Sequence, residues 1–327
     1  MAETVTTDIL IVGAGPVGLF GAYCAGFRGL RTVLVDALPQ CGGQITALYP
    51  EKEIRDIAAV RGTRGRDVVT ALKDQADAFG PTYLLGRQAV ELAHSPEGRP
   101  QVTLSDGTMV DTGAVVLTAG IGTFTPRSLP GAEEFVGRGL SYFVPDPAEH
   151  SDCDVLVVGG GDSAVDWALA LQPIARSVTL VHRRGTFRAH VASVRELRTC
   201  GVDIVINAQV EALVGDDRLS QVHLRVDGED ESRVLKVDAV VAALGFISNL
   251  GPLADWGVEL DRRTILVDTR MCTNVDRVYA AGDVTSYPGK VRLMSVGFGE
   301  VATAVNNAAV ALDPALSLFP GHSTESA

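Results

Sequence analysis

Two continuous apolar runs, Asp8-Ile9-Leu10-Ile11-Val12 and Asp154-Val155-Leu156-Val157-Val158, each break abruptly into glycine. The first opens into Gly13-Ala14-Gly15-Pro16-Val17-Gly18 and the second into Gly159-Gly160-Gly161-Asp162-Ser163-Ala164. A run without polar alternation predicts a strand covered on both faces. Each glycine loop leads into a small-residue helical stretch, 17–28 and 163–172, and then into a second apolar run, 32–35 and 178–181. That run is closed by Asp36 in the first unit and His182 in the second, each 23 positions after the first glycine of its loop. Further on, 102–105 and 109–111 around Asp106-Gly107, and 222–226 and 234–237 around Asp227-Gly228, predict hairpins with Asp-Gly turns. Each hairpin feeds a strand ending in small residues, 115–120 and 240–245. An amphipathic helix is expected over 66–79, with Val68, Val69, Leu72, Ala76 and Phe79 on one side.

The chain therefore reads as a long internal repeat. The order strand, glycine loop, helix, strand, hairpin, strand defaults to parallel pairing with right-handed crossovers. The predicted fold is α/β, with two Rossmann-like dinucleotide-binding domains, the second inserted in the first. Residues 1–120 with 248–327 form the discontinuous first domain, and 121–247 the second. The returning part contributes a strand over 278–281, the turn Gly282-Asp283 and a helix over 297–312.

Composition narrows the function. The chain has 327 residues and a formal charge of −12, which does not favour nucleic-acid binding. Its cations are 24 Arg and only 4 Lys, so local Arg clusters still count. No apolar run reaches the roughly 18 residues that span a bilayer. The N-terminus before the first apolar run is acidic, so no signal peptide is expected. Cys24, Cys41, Cys153, Cys200 and Cys272 have no metal-type or CxxC spacing. They are expected to be reduced thiols in a cytoplasmic protein, with no metal site.

A lone GxGxxG is weak evidence, but Gly13, Gly15 and Gly18 stand between a strand and a helix, and Asp36 ends the next strand. That is the context of a dinucleotide site: a tight turn, close backbone approach to a pyrophosphate, close helix–strand packing, and an acid for the ribose hydroxyls. The second loop has Gly159, Gly161 and Ala164, and its acid position is taken by His182, followed by Arg183, Arg184 and Arg188. A carboxylate there would repel a 2′-phosphate, whereas arginines grip one. The first unit is thus expected to hold a dinucleotide with a free ribose, and the second NADPH. Together they suggest FAD with a nicotinamide cofactor, and Asp283 could serve the ribityl chain.

Several stretches resemble the thioredoxin-reductase-like ferredoxin/flavodoxin–NADP(+) reductase family: 42–52, 159–171, 182–190, 280–290 and 297–307. They are scattered from end to end. Where thioredoxin reductases carry a redox-active CxxC, this chain reads Tyr142-Phe143-Val144-Pro145-Asp146-Pro147, with Cys153 alone further on. The resemblance implies non-covalent FAD held by Asp36, Gln44, Tyr49, Val90, Phe124 and Asp283. It also implies a C-terminal His322-Ser323-Thr324 tail, in which His322 covers a flavin face and Thr324 bonds near the ring. Tyr49 would stack on the isoalloxazine, a role that suits a rigid flat ring with a polar end. The implied activity relays a hydride from NADPH as single electrons to a ferredoxin or flavodoxin, reversibly, in a homodimer whose tail can come from the partner subunit.

Two other readings stay open at this level. One is an NADPH-dependent reductase of a small disulfide, with Cys41 as the nearest thiol. The other is a non-enzymatic nucleotide-bound redox sensor. For an acidic protein partner, Lys52, Arg55, Arg61, Arg64 and Arg66 form a candidate docking cluster.

Overall fold

The computed structural model describes residues 3–54, 56–60 and 62–322, and only the backbone of Thr123, Phe124, Thr125 and Ser248. The chain divides into two units, residues 1–123 with 248–327 and residues 124–247. It passes between them along the strands Thr123–Pro126 and Phe246–Asn249, which pair with each other.

The first unit is built on Thr4–Val12, with the parallel strands Thr32–Asp36 on one side and Met109–Leu117 on the other. Thr82–Leu85 extends the sheet beyond Thr32–Asp36. The far edge of Met109–Leu117 is shared. Its first residues pair antiparallel with Pro100–Leu104, and its last pair parallel with Val278–Ala280. Residues 109–111 and 115–120, read from sequence as separate strands, are instead covered by one strand that serves two neighbours and stops at Leu117. Ile9, Ile11, Leu34, Ala114 and Val116 pack with Leu19 and Ala22 of helix Pro16–Phe27 and with Val301 and Val305 of helix Met294–Leu312. Leu10, Val12, Val33, Val35, Val115 and Leu117 point the other way, onto Leu104, Leu253, Trp256 and Val258. Burial on both faces is why these runs carry no polar alternation.

The second unit has a parallel sheet in the order Leu140–Ser141, Ala239–Ala242, Asp154–Val158, Ser177–His182, Asp203–Ile206. Its second sheet is antiparallel, with Leu219–Val226 between Ala208–Gly215 and Arg233–Lys236. Leu156, Val158, Val181 and Val240 share a core with Ala208, Val222 and Leu224.

Both predicted hairpins form, but not on two-residue turns. Leu104 N–H bonds Thr108 O at 2.8 Å, so Ser105, Asp106 and Gly107 make the first connection, and Asp106 Oδ1 accepts the Thr108 N–H. In the second, Leu224 pairs with Arg233 and the connection is longer still. Strands Ala89–His94 and Ala208–Gly215, which complete these meanders, went unread in the sequence because neither is a continuous buried run: Glu91, Ala93 and His94 are exposed in the first, and Gln209, Glu211 and Val214 in the second. The last helix starts at Met294, before the expected 297. Among the described residues no helix is long and apolar enough to cross a membrane.

Candidate functional site

The first glycine loop is held by the end of the sheet. Gly13 has φ +115°, and a Cβ there would lie 2.5 Å from Thr118 O. Thr118 Oγ1 donates to Gly13 O at 2.8 Å. Gly18 allows the helix to start directly against this turn, since a Cβ would collide with Gly13 O. No side chain caps helix Pro16–Phe27 at Gly15. Gly43 faces it, and a Cβ on Gly43 would sit 3.1 Å from Gly15 Cα. Two side-chain-free residues thus leave backbone open at a helix N-terminus, as a pyrophosphate requires.

Asp36 lies beside this opening. Its Oδ2 accepts the Ala14 N–H at 2.7 Å and its Oδ1 the Leu38 N–H at 2.8 Å. Burial pushes its carboxyl pKa up despite these two bonds. A desolvated carboxylate with lone pairs left over can accept further hydroxyl donors, as a ribose would offer. The strand end at Asp36 also meets the next segment, where Arg87 N–H donates to Asp36 O at 3.0 Å. That segment carries Val90, which sits at a bulge; its carbonyl accepts Trp256 Nε1–H at 3.0 Å.

Gln44 and Tyr49 bracket the short helix Gln44–Leu48. The Gln44 amide lies 3.1 Å from where a Gly120 Cβ would be. Tyr49 is half-buried with Lys52 over its ring. Its phenol is pushed up to about 12 by burial and then by the Asp283 and Asp56 charges. Asp283 is itself pushed upward, chiefly by burial, with Lys290 and Arg292 pulling the other way. Asp36 bonds inside the Gly13–Gly18 loop, Gln44 follows the Gly43 that faces Gly15, Gly282 beside Asp283 packs on Val17 of the same loop, and the Asp283 charge reaches Tyr49.

The turn bearing Asp283 shows what the sequence reading missed. Glu300 Oε2 accepts Gly282 N–H at 2.7 Å, Lys290 Nζ donates to Gly282 O at 2.9 Å, and Lys290 and Glu300 pair at 2.5 Å. A lone acid in the apolar stretch Val296-Gly297-Phe298-Gly299-Glu300-Val301-Ala302 was the available signal.

In the second unit, His182 is buried rather than presented to solvent. A Cβ on Gly160 would strike its ring, which stacks on Phe187 at 5.3 Å and 21°. Its Nε2 bonds Thr186 O at 3.1 Å. Burial lowers its pKa, the Thr186 bond opposes this, and the three nearby arginines add weaker effects in the lowering sense. Arg188 N–H donates to Gly160 O at 2.7 Å, tying the arginine loop to the glycine loop. Gly159 abuts Ala164, and Gly161 bridges to Arg188. Arg183, Arg184 and Arg188 are exposed and make no side-chain ion pair with a carboxylate among the described residues. That leaves three cations at the strand end for an anionic ligand group.

Phe124 lies in strand Thr123–Pro126, its side chain outside the described residues, as is Thr324. His322 is exposed, its ring edge-on to Phe319 at 5.1 Å. The preceding segment is tied by Arg28 Nη2 to Ser317 O at 2.8 Å, at the end of the first helix away from its glycine loop. Arg55 and Arg61 of the candidate docking cluster also lie outside the described residues. Arg64 and Arg66 both pair with Glu51, at 3.0 and 2.7 Å, which neutralises part of that cluster. The five cysteines are free, and burial pushes the Cys41 thiol up and Cys24 to about 12. No cluster of metal-binding side chains occurs among the described residues.

The family description "Pyridine nucleotide-disulphide oxidoreductase" matches residues 7–308. A protein of Salinispora tropica named ferredoxin–NADP reductase is 58% identical, over 97% of this chain and 98% of its own length. One of the same name from Thermus thermophilus is 46% identical, over 98% and 97%. The crystal structure of T. acidophilum thioredoxin reductase superposes with a TM-score of 0.82 at 26% identity, covering 93% of this chain and 98% of that one.

Proposed function

Because the chain belongs to the pyridine nucleotide-disulphide oxidoreductase family, and within it to the thioredoxin-reductase-like ferredoxin–NADP reductases, we propose that it passes electrons between NADPH and a ferredoxin. It is an oxidoreductase that uses FAD and NADP(H). The observation that carries the reading is the contrast between its two glycine loops. One ends on the desolvated acid Asp36 and the other on exposed arginines, the five cysteines are free, and the sequence has no CxxC.

The first unit is the FAD domain and the second the NADPH domain. Bound FAD supplies two-electron exchange with NADPH and one-electron exchange with the protein partner. The chain's own residues do the positioning. Asp36 receives the adenosine ribose, and the open backbone at Gly13, Gly15 and Gly18 receives the pyrophosphate. Gln44 and Asp283 orient the ribityl end, Tyr49 shields a ring face, and Val90 borders the adenine. Arg183, Arg184 and Arg188 select the 2′-phosphate, on a loop that His182 holds from beneath. Flavodoxin is a second acceptor of the same one-electron class.

A homodimer is supported by a half-exposed row of rings in the first unit. Phe20 stacks on Tyr23 at 5.6 Å, Tyr23 meets Phe27 and Phe79, and Phe20 meets Phe298. Aromatic rows of this kind suit an interface core; light scattering reads the mass directly. In such a dimer the exposed His322 and its neighbour Thr324 serve the partner's flavin. Free thiols suit a reducing, cytoplasmic setting.

The purified protein is expected to show a flavin absorption spectrum that NADPH bleaches. It should then reduce cytochrome c only when ferredoxin is added. A colourless protein, or turnover indifferent to ferredoxin, overturns the reading; lack of any NADPH turnover would instead favour a redox sensor. The small-disulfide alternative needs a reactive thiol, and the buried, upward-shifted Cys41 is poorly suited to form one. Cys41→Ser is expected to retain ferredoxin-dependent turnover within about twofold, since a buried small side chain is exchanged for an isostere. A loss beyond tenfold would bring the thiol back into the reaction.

A further inference from the structure

Gly282, immediately before Asp283, is gripped from both sides. Its N–H goes to Glu300 Oε2 at 2.7 Å, and its carbonyl accepts Thr285 Oγ1 at 2.7 Å, Thr285 N at 3.1 Å and Lys290 Nζ at 2.9 Å. Glu300 Oε1 is filled by Lys290 and by Tyr287 Oη, each at 2.5 Å. The Lys290 and Glu300 side chains are only 9% and 4% exposed. A buried pair is costly to desolvate and is often no more stable than an apolar substitute. Stability alone is therefore a weak reason for this one.

Its placement suggests another reason. The turn needs φ +85° at Gly282, with Val17 of the first glycine loop packed 3.3 Å from where a Cβ would be. The Gly282–Asp283 turn is thus locked against the pyrophosphate loop. Both charges of the pair also reach Asp283, the Lys290 ammonium favouring its carboxylate form more strongly than the Glu300 carboxylate opposes it, and Lys290 Nζ bonds the carbonyl of the adjacent Gly282. Arg292 also acts on Asp283 but is exposed, and its charge is screened.

We propose that Lys290, held by Glu300, is a positioning residue of the cofactor site: it fixes the Gly282–Asp283 turn and supplies the counter-charge for the Asp283 carboxylate facing the ribityl hydroxyls. The proposal rests on the assignment of this opening to FAD. Lys290 touches no reacting atom. It acts through the turn, and removing its charge changes the field at the flavin end of the site.

The test replaces the pair by neutral groups of similar size, Lys290→Met with Glu300→Gln, so that no lone charge is left buried. The expected result is an apoprotein melting near wild type, with FAD bound at least tenfold more weakly and a shifted midpoint potential of the residual bound flavin. Wild-type FAD affinity and potential in this folded variant overturn the proposal. Tyr287→Phe removes one hydroxyl without altering charge and serves even if the double variant does not fold. It is expected to stay within threefold of wild type in FAD affinity, and an effect of tenfold or more would show that hydrogen-bond count rather than the Lys290 charge governs the turn, and overturn the proposal. Asp283→Asn separates the two levels. If it leaves FAD binding unchanged, the FAD assignment of the opening fails; if it weakens binding while the neutral pair does not, only the role of Lys290 fails.

Discussion

Replacing Arg183 and Arg188 together with alanine is expected to lower kcat/KM for NADPH by about a hundredfold while leaving that for NADH within a few-fold. The two cofactors differ at one ribose oxygen, which carries a phosphate in NADPH and a hydroxyl in NADH. A charged hydrogen bond contributes about 1.5–3 kcal/mol, and the exposure of these side chains argues for the lower end of that range. Two such contacts amount to about 3 kcal/mol, close to two powers of ten. The double variant is preferred because a single arginine left beside Arg184 can lean across to the phosphate. Added salt should also erode the NADPH preference of the wild type, since exposed charges are screened. Equal losses for both cofactors would show that these arginines do not read the 2′-phosphate.

The same loop marks how far the sequence could be read. The glycines and the arginine run were legible because spacing alone sets them between a strand and a helix. The task of His182 was not legible. Its offset from the glycines equals that of Asp36, which invites the same function, yet the structure turns it inward under Gly160, with Nε2 used by Thr186 O. Equal position on the chain decides where the backbone goes; whether a side chain faces ligand or core depends on what packs there, here Phe187. The Lys290–Glu300 pair was hidden for a related reason. Its partners are ten residues apart on a loop and a helix, and their common contact is a backbone group of Gly282, which has no side chain to pattern. Long apolar strands were read correctly because burial on both faces leaves a mark on every residue. The meander strands Ala89–His94 and Ala208–Gly215 were not, because exposed positions interrupt each of them and leave no unbroken apolar run.

Asp36→Ala is expected to yield protein largely free of FAD. The carboxylate is the acceptor for two backbone N–H groups, of Ala14 inside the glycine loop and of Leu38 beyond the strand, before any ligand arrives. Removing it leaves both donors unpaired in a part-buried place, at about 1–3 kcal/mol each, so the apoprotein should also melt earlier. Loss of a charged acceptor for the ribose adds about 1.5–3 kcal/mol to the weakening of FAD, ten- to a hundredfold in Kd. Asp36→Asn sharpens the test. Its single side-chain oxygen can serve Ala14 or Leu38 but not both, and its NH2 would point a donor at a donor. The asparagine variant should therefore fall between wild type and alanine in melting temperature, yet resemble alanine in FAD loss, because neither supplies a charge to the ribose. Fluorescence titration of the apoproteins with FAD separates the two effects. Full flavin content in both variants, with release at the same denaturant concentration as wild type, would remove Asp36 from the ribose site and leave it only the task of shaping the loop.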